Sequence, residues 1–392
     1  MMSKKSPQLR FEGFTDDWEE RKLGDTETHF TDGNYGESYP SAKDMSDKAN
    51  GIPFLRGSDF SNGYLDSSNA NYIKPEKHAE LTSGHIKQDD IVLAVRGSLG
   101  TLGYATKENE GWNINSQLAI LRTNKSEISG MFLIQYLLGS KGQKEIFSRN
   151  TGTALKQLPI KQLKDIPVPV PTLLEQQKIG NFFKELDSTI ALHQRKLDLL
   201  KEQRKGYLQK MFPKTGEKIP ELRFAGFADD WEERKAKEMI KTHHFRSYLA
   251  EPNDVGNYEV IQQGDKPIAG YANGEPFEYF YDVTLFGDHT VSLFKPTKPF
   301  FIATDGVKII SADEFDGRYF YVTLERYKPA SQGYKRHFTI LKNEDIWFTT
   351  NKDEQVKIGT FFKQLDDIIT LHQRKLDLLK EQKKGFLQKM FV

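Results

Sequence analysis

The stretch of residues 175–212, EQQKIGNFFKELDSTIALHQRKLDLLKEQRKGYLQKMF, decides the fold because the chain contains it twice. Residues 354–391 read EQVKIGTFFKQLDDIITLHQRKLDLLKEQKKGFLQKMF, and 30 of the 38 positions are identical. Pro213 follows the first copy, and proline disfavours helical geometry in the residue before it. Each copy predicts one long helix, which at about 1.5 Å per residue is a rod of roughly 55 Å.

Seam positions in both copies alternate at intervals of four and three residues, which is the spacing of a coiled coil. A helix with one apolar stripe needs a partner, and two near-identical helices in one chain are obvious partners for each other. We therefore expect them to pair antiparallel. Histidines at equivalent seam positions favour a polar pair that fixes the register over a metal site. The predicted seam consists of Ile179, Phe183, Leu186, Ile190, His193, Leu197, Leu200, Ile358, Phe362, Leu365, Ile369, His372, Leu376 and Leu379.

The start of each helix carries its own signal. Thr172 lies three residues before Glu175, and Asn351 lies three residues before Glu354. A Thr or Asn followed three residues later by Glu predicts a capping box, in which each side chain binds the other residue's backbone N–H. We expect the helices to begin there.

A shorter repeat precedes each half of the chain. Residues 7–22 recur at 220–235 with three of sixteen positions changed, and two unlike variable regions lie between the repeats. The order is short repeat, variable region and long helix, and then the same again. The predicted segments are a proximal repeat (1–22), a first variable region (23–171), a central helix (172–212), a linker with the second short repeat (213–235), a second variable region (236–350) and a C-terminal helix (351–392).

Both variable regions contain apolar or alternating runs bounded by Gly and Asn, which predict strands. The clearest are residues 91–95, 117–121, 300–303 and 319–322. The predicted fold class is α+β: two mixed, β-rich globular regions separated by two long antiparallel coiled-coil helices, with a pseudo-twofold internal repeat.

The composition restricts the function classes. The 392 residues contain no cysteine, which removes disulfides and Cys-ligated zinc and is compatible with a reducing cytoplasm. No apolar run approaches the roughly 20 residues that span a bilayer, and the polar start of the sequence does not suggest a signal peptide. We expect a cytoplasmic protein that has no contact with a membrane. The net charge of +1 is unusual for a protein that binds DNA alone.

The candidate binding residues lie on loops at the ends of the globular regions. Arg96 and Ser98 follow the apolar run 91–95, and this turn lacks the GxxxxGK[ST] pattern of a phosphate-binding loop. Glycine-hinged loops that lead into each helix carry basic and amide side chains able to meet phosphates or base edges. A solvated surface loop is an equal alternative. These loop candidates are Lys156, Gln157, Lys335 and Arg336.

The sequence contains no constellation of residues that we assign to catalysis. It has no GxGxxG opening a helix, no Asn/Asp-Pro-Pro-aromatic methylation motif, no Walker lysine and no clustered set of acidic residues around an Asp/Glu-x-Lys triplet that we assign to a nuclease. We therefore expect neither a catalytic residue nor a cofactor nor a metal.

The duplicated order resembles the specificity subunits of Type I restriction-modification systems. The matching features are the WEERKLGD entry at 18–25, the strand-glycine run DDIVLAVRG at 89–97, and PVPVP at 167–171 leading into EQQKI at 175–179. In the second half, residues 286–288, 298–300 and 304–308 are similar to another type of recognition domain of the family. The resemblance covers essentially the whole chain.

The resemblance implies a non-catalytic subunit that reads double-stranded DNA. Each variable region would be a target recognition domain for one half of a split, asymmetric site. The helices would hold the two domains about one turn of DNA apart, roughly 34 Å. Two methyltransferase (M) subunits would dock on the repeats, and restriction/translocase (R) subunits would join that core. Because its own charge is near neutral, the partners would supply much of the phosphate neutralisation.

Two other functions remain open from the sequence. The chain could be the recognition subunit of a Type II system in which one polypeptide both cuts and methylates. Alternatively, it could be a coiled-coil scaffold that holds two proteins and has no role with nucleic acid.

Overall fold

The computed structural model describes residues 6–152, 156–333 and 335–391, so the first five residues of the predicted proximal repeat lie outside it. The chain forms two compact units. Unit 1 comprises residues 1–193 together with 375–392, and unit 2 comprises residues 194–374. Each unit therefore contains one variable region and part of both long helices.

The first variable region is built from short strands that form a six-stranded sheet, a four-stranded sheet and a two-stranded ribbon. The sheet orders are β2-β11-β8-β9-β6-β5, β10-β4-β7-β3 and β1-β12. The elements are β1 (Glu19–Lys22), β2 (His29–Asp32), β3 (Met45–Ser46), β4 (Ile52–Leu55), β5 (Phe60–Ser61), β6 (Tyr64–Leu65), β7 (Asn71–Ile73), α1 (Pro75–Glu80), β8 (Ile91–Ala94), β9 (Leu102–Tyr104), β10 (Asn113–Ile114), β11 (Leu118–Arg122), α2 (Gly130–Leu138), α3 (Ser140–Ser148), α4 (Ile160–Lys164) and β12 (Pro167–Val170).

The long helix α5 (Leu173–Lys210) follows, and the second variable region repeats the arrangement with fewer strands. Its sheet orders are β14-β20-β17-β18, β16-β15-β19 and β13-β21. The elements are β13 (Glu232–Lys235), α6 (Ala236–Met239), β14 (Lys241–Thr242), β15 (Tyr258–Ile261), β16 (Ile268–Ala272), β17 (Thr284–Gly287), β18 (Leu293–Phe294), β19 (Phe300–Ile302), β20 (Val307–Ser311), α7 (Gly317–Tyr327), α8 (His337–Leu341), β21 (Asp345–Phe348) and the second long helix α9 (Lys352–Lys389).

The predicted α+β fold class is confirmed, and three of the four clearest strand runs form β8, β11 and β19. The strand prediction for residues 319–322 is wrong, because these residues lie in α7. The Asp316 side chain caps that helix by accepting the backbone N–H groups of Arg318 and Tyr319, both at 3.0 Å. Aromatic residues there pack into the core, so tertiary packing overrides their strand preference.

The two long helices run antiparallel within each unit. In unit 1, Lys383 of α9 donates to Asp187 of α5 at 2.6 Å. In unit 2, Arg204 of α5 donates to Asp366 of α9 at 3.0 Å. Asp187 and Asp366 are equivalent positions of the long repeat, as are Arg204 and Lys383. The same interhelical bond is therefore made twice, once in each unit.

The first turn of each helix binds the short repeat through a buried ion pair. The guanidinium of Arg10 donates to both carboxylate oxygens of Glu175, at 2.7 and 2.8 Å. Arg223 donates to Glu354 in the same way, at 2.7 and 2.9 Å. Only half of each predicted capping box is present: Thr172 and Asn351 accept the backbone N–H of the Glu. The reciprocal half is wrong, because arginine is the stronger partner for each carboxylate.

Glutamines and aromatic side chains near these ion pairs also make equivalent contacts in the two units. The Gln176 side chain accepts the N–H before α2, and Gln355 accepts the N–H of Asp316 before α7, both at 2.8 Å. Phe391 packs on Trp18 in unit 1, and Phe212 packs on Trp231 in unit 2. The end of α9 thus completes unit 1 as the end of α5 completes unit 2.

Candidate nucleic-acid interface

In unit 1, the loop after β8 carries an exposed arginine. A backbone bridge joins Arg96 to Gln157, and the N–H of Leu158 donates to the carbonyl of Val95 at 2.9 Å. The segments before and after the undescribed residues 153–155 are held together, because Thr151 and Gln157 exchange two backbone bonds of 2.8 and 2.9 Å. This framework fixes Gln157 beside Arg96.

The side chains of this loop form a polar cluster with a tyrosine from the segment after β2. The Arg96 Nε donates to Oε1 of Gln157 at 3.2 Å, and its Nη1 donates to the Tyr35 hydroxyl at 3.3 Å. The guanidinium also lies 5.3 Å from the centre of the Tyr35 ring. The Tyr35 hydroxyl donates to the carbonyl of Ser116 at 3.0 Å. Burial, together with the charge of Asp32, raises the pKa of Tyr35, so its hydroxyl remains protonated at neutral pH.

Other predicted residues lie on the same surface. Ser98 is exposed on the turn after Arg96, where Gly97 and Gly100 adopt positive φ values of 69° and 85°. Lys156 is exposed next to Gln157. We call Tyr35, Arg96, Ser98, Lys156 and Gln157 reading surface 1. Arg and Gln are side chains that can make paired hydrogen bonds to the edges of guanine and adenine.

Unit 2 places its predicted residues at the corresponding point of the sheet. The N–H of His337 donates to the carbonyl of Asp288 at 2.8 Å, as Leu158 does to Val95 in unit 1. The two residues before it, Lys335 and Arg336, therefore correspond to Lys156 and Gln157. Both are exposed, and the Lys335 amine donates to Oε1 of Gln332 at 3.1 Å.

The position of Arg96 is occupied in unit 2 by His289, whose backbone N–H donates to Oε1 of Gln263 at 3.0 Å. We call Gln263, His289, Lys335 and Arg336 reading surface 2. Sequence reasoning missed Tyr35, Gln263 and His289, because only the folded sheets bring them beside the predicted residues. The two surfaces share a backbone framework and differ in side-chain chemistry.

The predicted seam residues are all buried or half-buried, and their role as a partner surface remains a prediction. Across residues 6–152, 156–333 and 335–391, no group of three or more His, Asp or Glu side chains is arranged to hold a metal ion. The helices of the described chain also include none long and apolar enough to cross a membrane.

Comparison with known proteins gives a consistent result. The profile of the family described as "Type I restriction modification DNA specificity domain" matches residues 15–202 and 228–381. A putative type I restriction enzyme MjaX specificity subunit from Methanocaldococcus jannaschii is 25% identical over 265 residues, which is 66% of this chain and 60% of that protein. The type I restriction enzyme EcoBI specificity subunit from Escherichia coli is 26% identical over 140 residues, 36% of this chain and 29% of that protein. The chain thus spans about 60% or less of these relatives.

The fold also matches a solved structure over nearly its whole length. The crystal structure of a Type I restriction-modification system S subunit from M. genitalium aligns with a TM-score of 0.69 and covers 99% of both chains. The sequence identity is 16%, so this likeness speaks for the fold.

Proposed function

Because the chain belongs to the Type I restriction modification DNA specificity family, we propose that it is the sequence-reading subunit of such a system. It binds double-stranded DNA at a split site, and each reading surface contacts one half. This proposal rests on one observation: the two reading surfaces share a backbone hydrogen-bond framework but carry different side chains at equivalent positions. Arg96 and Gln157 in unit 1 correspond to His289 and Arg336 in unit 2. Different side chains at equivalent points read different bases, so the two half-sites differ.

The long helices supply the docking sites for two methyltransferase subunits. In unit 1, Leu192 lies five residues after Asp187, and Leu378 lies five residues before its partner Lys383. The two leucines are therefore level with each other on the antiparallel helices, and both are exposed. We expect these exposed leucines to contact the docked subunit.

The same pair occurs in unit 2. Leu199 lies five residues before Arg204, Leu371 lies five residues after Asp366, and both leucines are exposed. Each unit thus offers one equivalent site, which supports a stoichiometry of two methyltransferase subunits to one chain. Restriction/translocase subunits join that complex, and this chain performs no catalysis itself.

The net charge of +1 leads to a direct test. DNA affinity depends on the number of phosphates that cations neutralise, so the chain alone binds weakly and in a salt-sensitive way. A gel-shift titration with and without the methyltransferase subunit measures this. Tight, sequence-specific binding only with the partner supports the proposal, whereas equal affinity in both conditions contradicts it.

A further inference from the structure

The main sheets of the two units end differently at the side that faces the long helices. In unit 1, β9 is covered by the hairpin β5–β6, with Tyr64 of β6 paired parallel to Tyr104. The N–H of Tyr104 donates to the carbonyl of Gly63 at 2.9 Å. In unit 2, β18 pairs with β17 as β9 pairs with β8. Among the described residues of unit 2, β18 is the last strand of its sheet. An unpaired edge strand is a template for another strand.

The region that the hairpin occupies in unit 1 is an open cavity in unit 2. In unit 1, Tyr64 lies close enough to Asp187 to feel its charge, and Leu138 packs against Gly63. The equivalent residues in unit 2 are Asp366 and Glu325, the latter being the ninth residue of α7 as Leu138 is of α2. Both of them line a cavity of about 670 Å³. Unit 2 therefore retains the floor of this cavity, but its described residues include no hairpin that fills it.

The walls of the cavity suit an aromatic and acidic occupant. Phe280, Tyr281 and Phe294 form one wall, and Tyr281 is 73% exposed. An exposed aromatic side chain beside a cavity offers apolar area to an occupant. Arg318 lines the same cavity and makes no ion pair with any residue that the structure describes. A carboxylate on the occupant would satisfy its guanidinium.

We propose that β18 and this cavity receive an extended segment of the methyltransferase subunit. The segment pairs with β18 as β6 pairs with β9, inserts an aromatic side chain where unit 1 has Tyr64, and places a carboxylate against Arg318. The inference rests on the proposed function. The floor of the cavity reaches Thr370 of α9, which adjoins Leu371 of the proposed docking site. The two methyltransferase sites are therefore unequal, and only the one on unit 2 includes this added strand.

Matched tryptophan variants test the proposal. Thr370→Trp fills the cavity from an exposed helix position, and Ala191→Trp is the same change at the equivalent position of unit 1. Arg318→Glu reverses the charge at the wall. Native mass spectrometry of the full chain with the methyltransferase gives the affinity of each site. T370W and R318E should weaken one of the two sites roughly tenfold, while A191W leaves both unchanged. Unchanged thermal unfolding would show that each variant folds.

A photo-crosslinking amino acid at the exposed Thr297, which also lines the cavity, identifies the occupant. We expect a crosslink to one segment of the methyltransferase that contains an aromatic and an acidic residue. Crosslinks to DNA or to a second copy of this chain, or two-site binding that T370W and R318E leave intact, would overturn this inference alone. Failure of the unaltered chain to bind any methyltransferase would overturn the proposed function as well.

Discussion

Replacing Arg10 with alanine tests how unit 1 is held together. The Glu175 side chain is 0% exposed, and Arg10 supplies two charge-assisted hydrogen bonds to it. Arg10 also donates to the carbonyl of Asp16 at 2.7 Å. Its removal leaves a carboxylate without its partner in the interior and removes the hydrogen bonds that Arg10 makes between the short repeat and α5.

The expected loss follows from the burial of this pair. Removing one member of a buried ion pair costs about 3–5 kcal/mol, because the remaining charge is left uncompensated. Arg10 is 12% exposed, so some water can reach the vacated space, and we expect about 3 kcal/mol for unit 1. That is a large part of the roughly 5–15 kcal/mol that stabilises a typical domain.

Guanidinium denaturation followed by tryptophan fluorescence measures the loss. Trp18 and Trp112 report on unit 1 when Trp231 and Trp347 are replaced by phenylalanine. Lys22→Ala, which breaks the exposed pair with Asp165, is the control and should change little. If R10A unfolded at the same denaturant concentration as K22A, the ion pair would not have the role that we assign to it.

Three further predictions concern Lys295, the two reading surfaces and the proposed docking site of unit 1. Burial lowers the pKa of Lys295 to about 8 from an ordinary value of 10.5. Between these pH values the folded state has lost a proton that the unfolded state keeps, so the free energy of unfolding should rise with pH. A difference in melting temperature between this chain and K295M that stays constant over that pH range would contradict this reasoning. Arg96→Ala should relax the base preference in one half-site only, and Arg336→Ala in the other half-site only, as measured by sequencing methylated DNA. Each lost base contact should cost about 1–3 kcal/mol of discrimination between bases. A change in both half-sites from one substitution would contradict separate reading. Leu192→Asp with Leu378→Asp should remove one of two methyltransferase subunits in native mass spectrometry, whereas retention of both would place the docking site elsewhere.

The long helices could be predicted from the sequence because their signal is local. Intervals of four and three residues place Ile179 and Phe183 on one face whatever surrounds them. The partner of Glu175 could not be predicted in this way, because Arg10 lies 165 residues away. The pattern of Thr172 and Glu175 fits a capping box, and only the fold shows that arginine takes the carboxylate.

The reading surfaces show the same limit. The loop positions of Arg96 and Gln157 were predictable, but Tyr35 reaches Arg96 across 61 residues of sequence. No sequence motif indicates that His289 is the equivalent of Arg96, because that equivalence follows from the pairing of strands in the two sheets. The strand prediction for residues 319–322 fails because their local strand preference contributes less than packing Tyr319 into the core from a helix.

Mapping methylated adenines in DNA from cells that carry this chain and its methyltransferase gives the most direct test of two unlike readers on one chain. The account predicts a single recognition motif in two parts, with different base sequences in each part and a fixed unread gap between them. A continuous motif, two identical halves, or a methylation pattern that does not change when the chain is absent would contradict it.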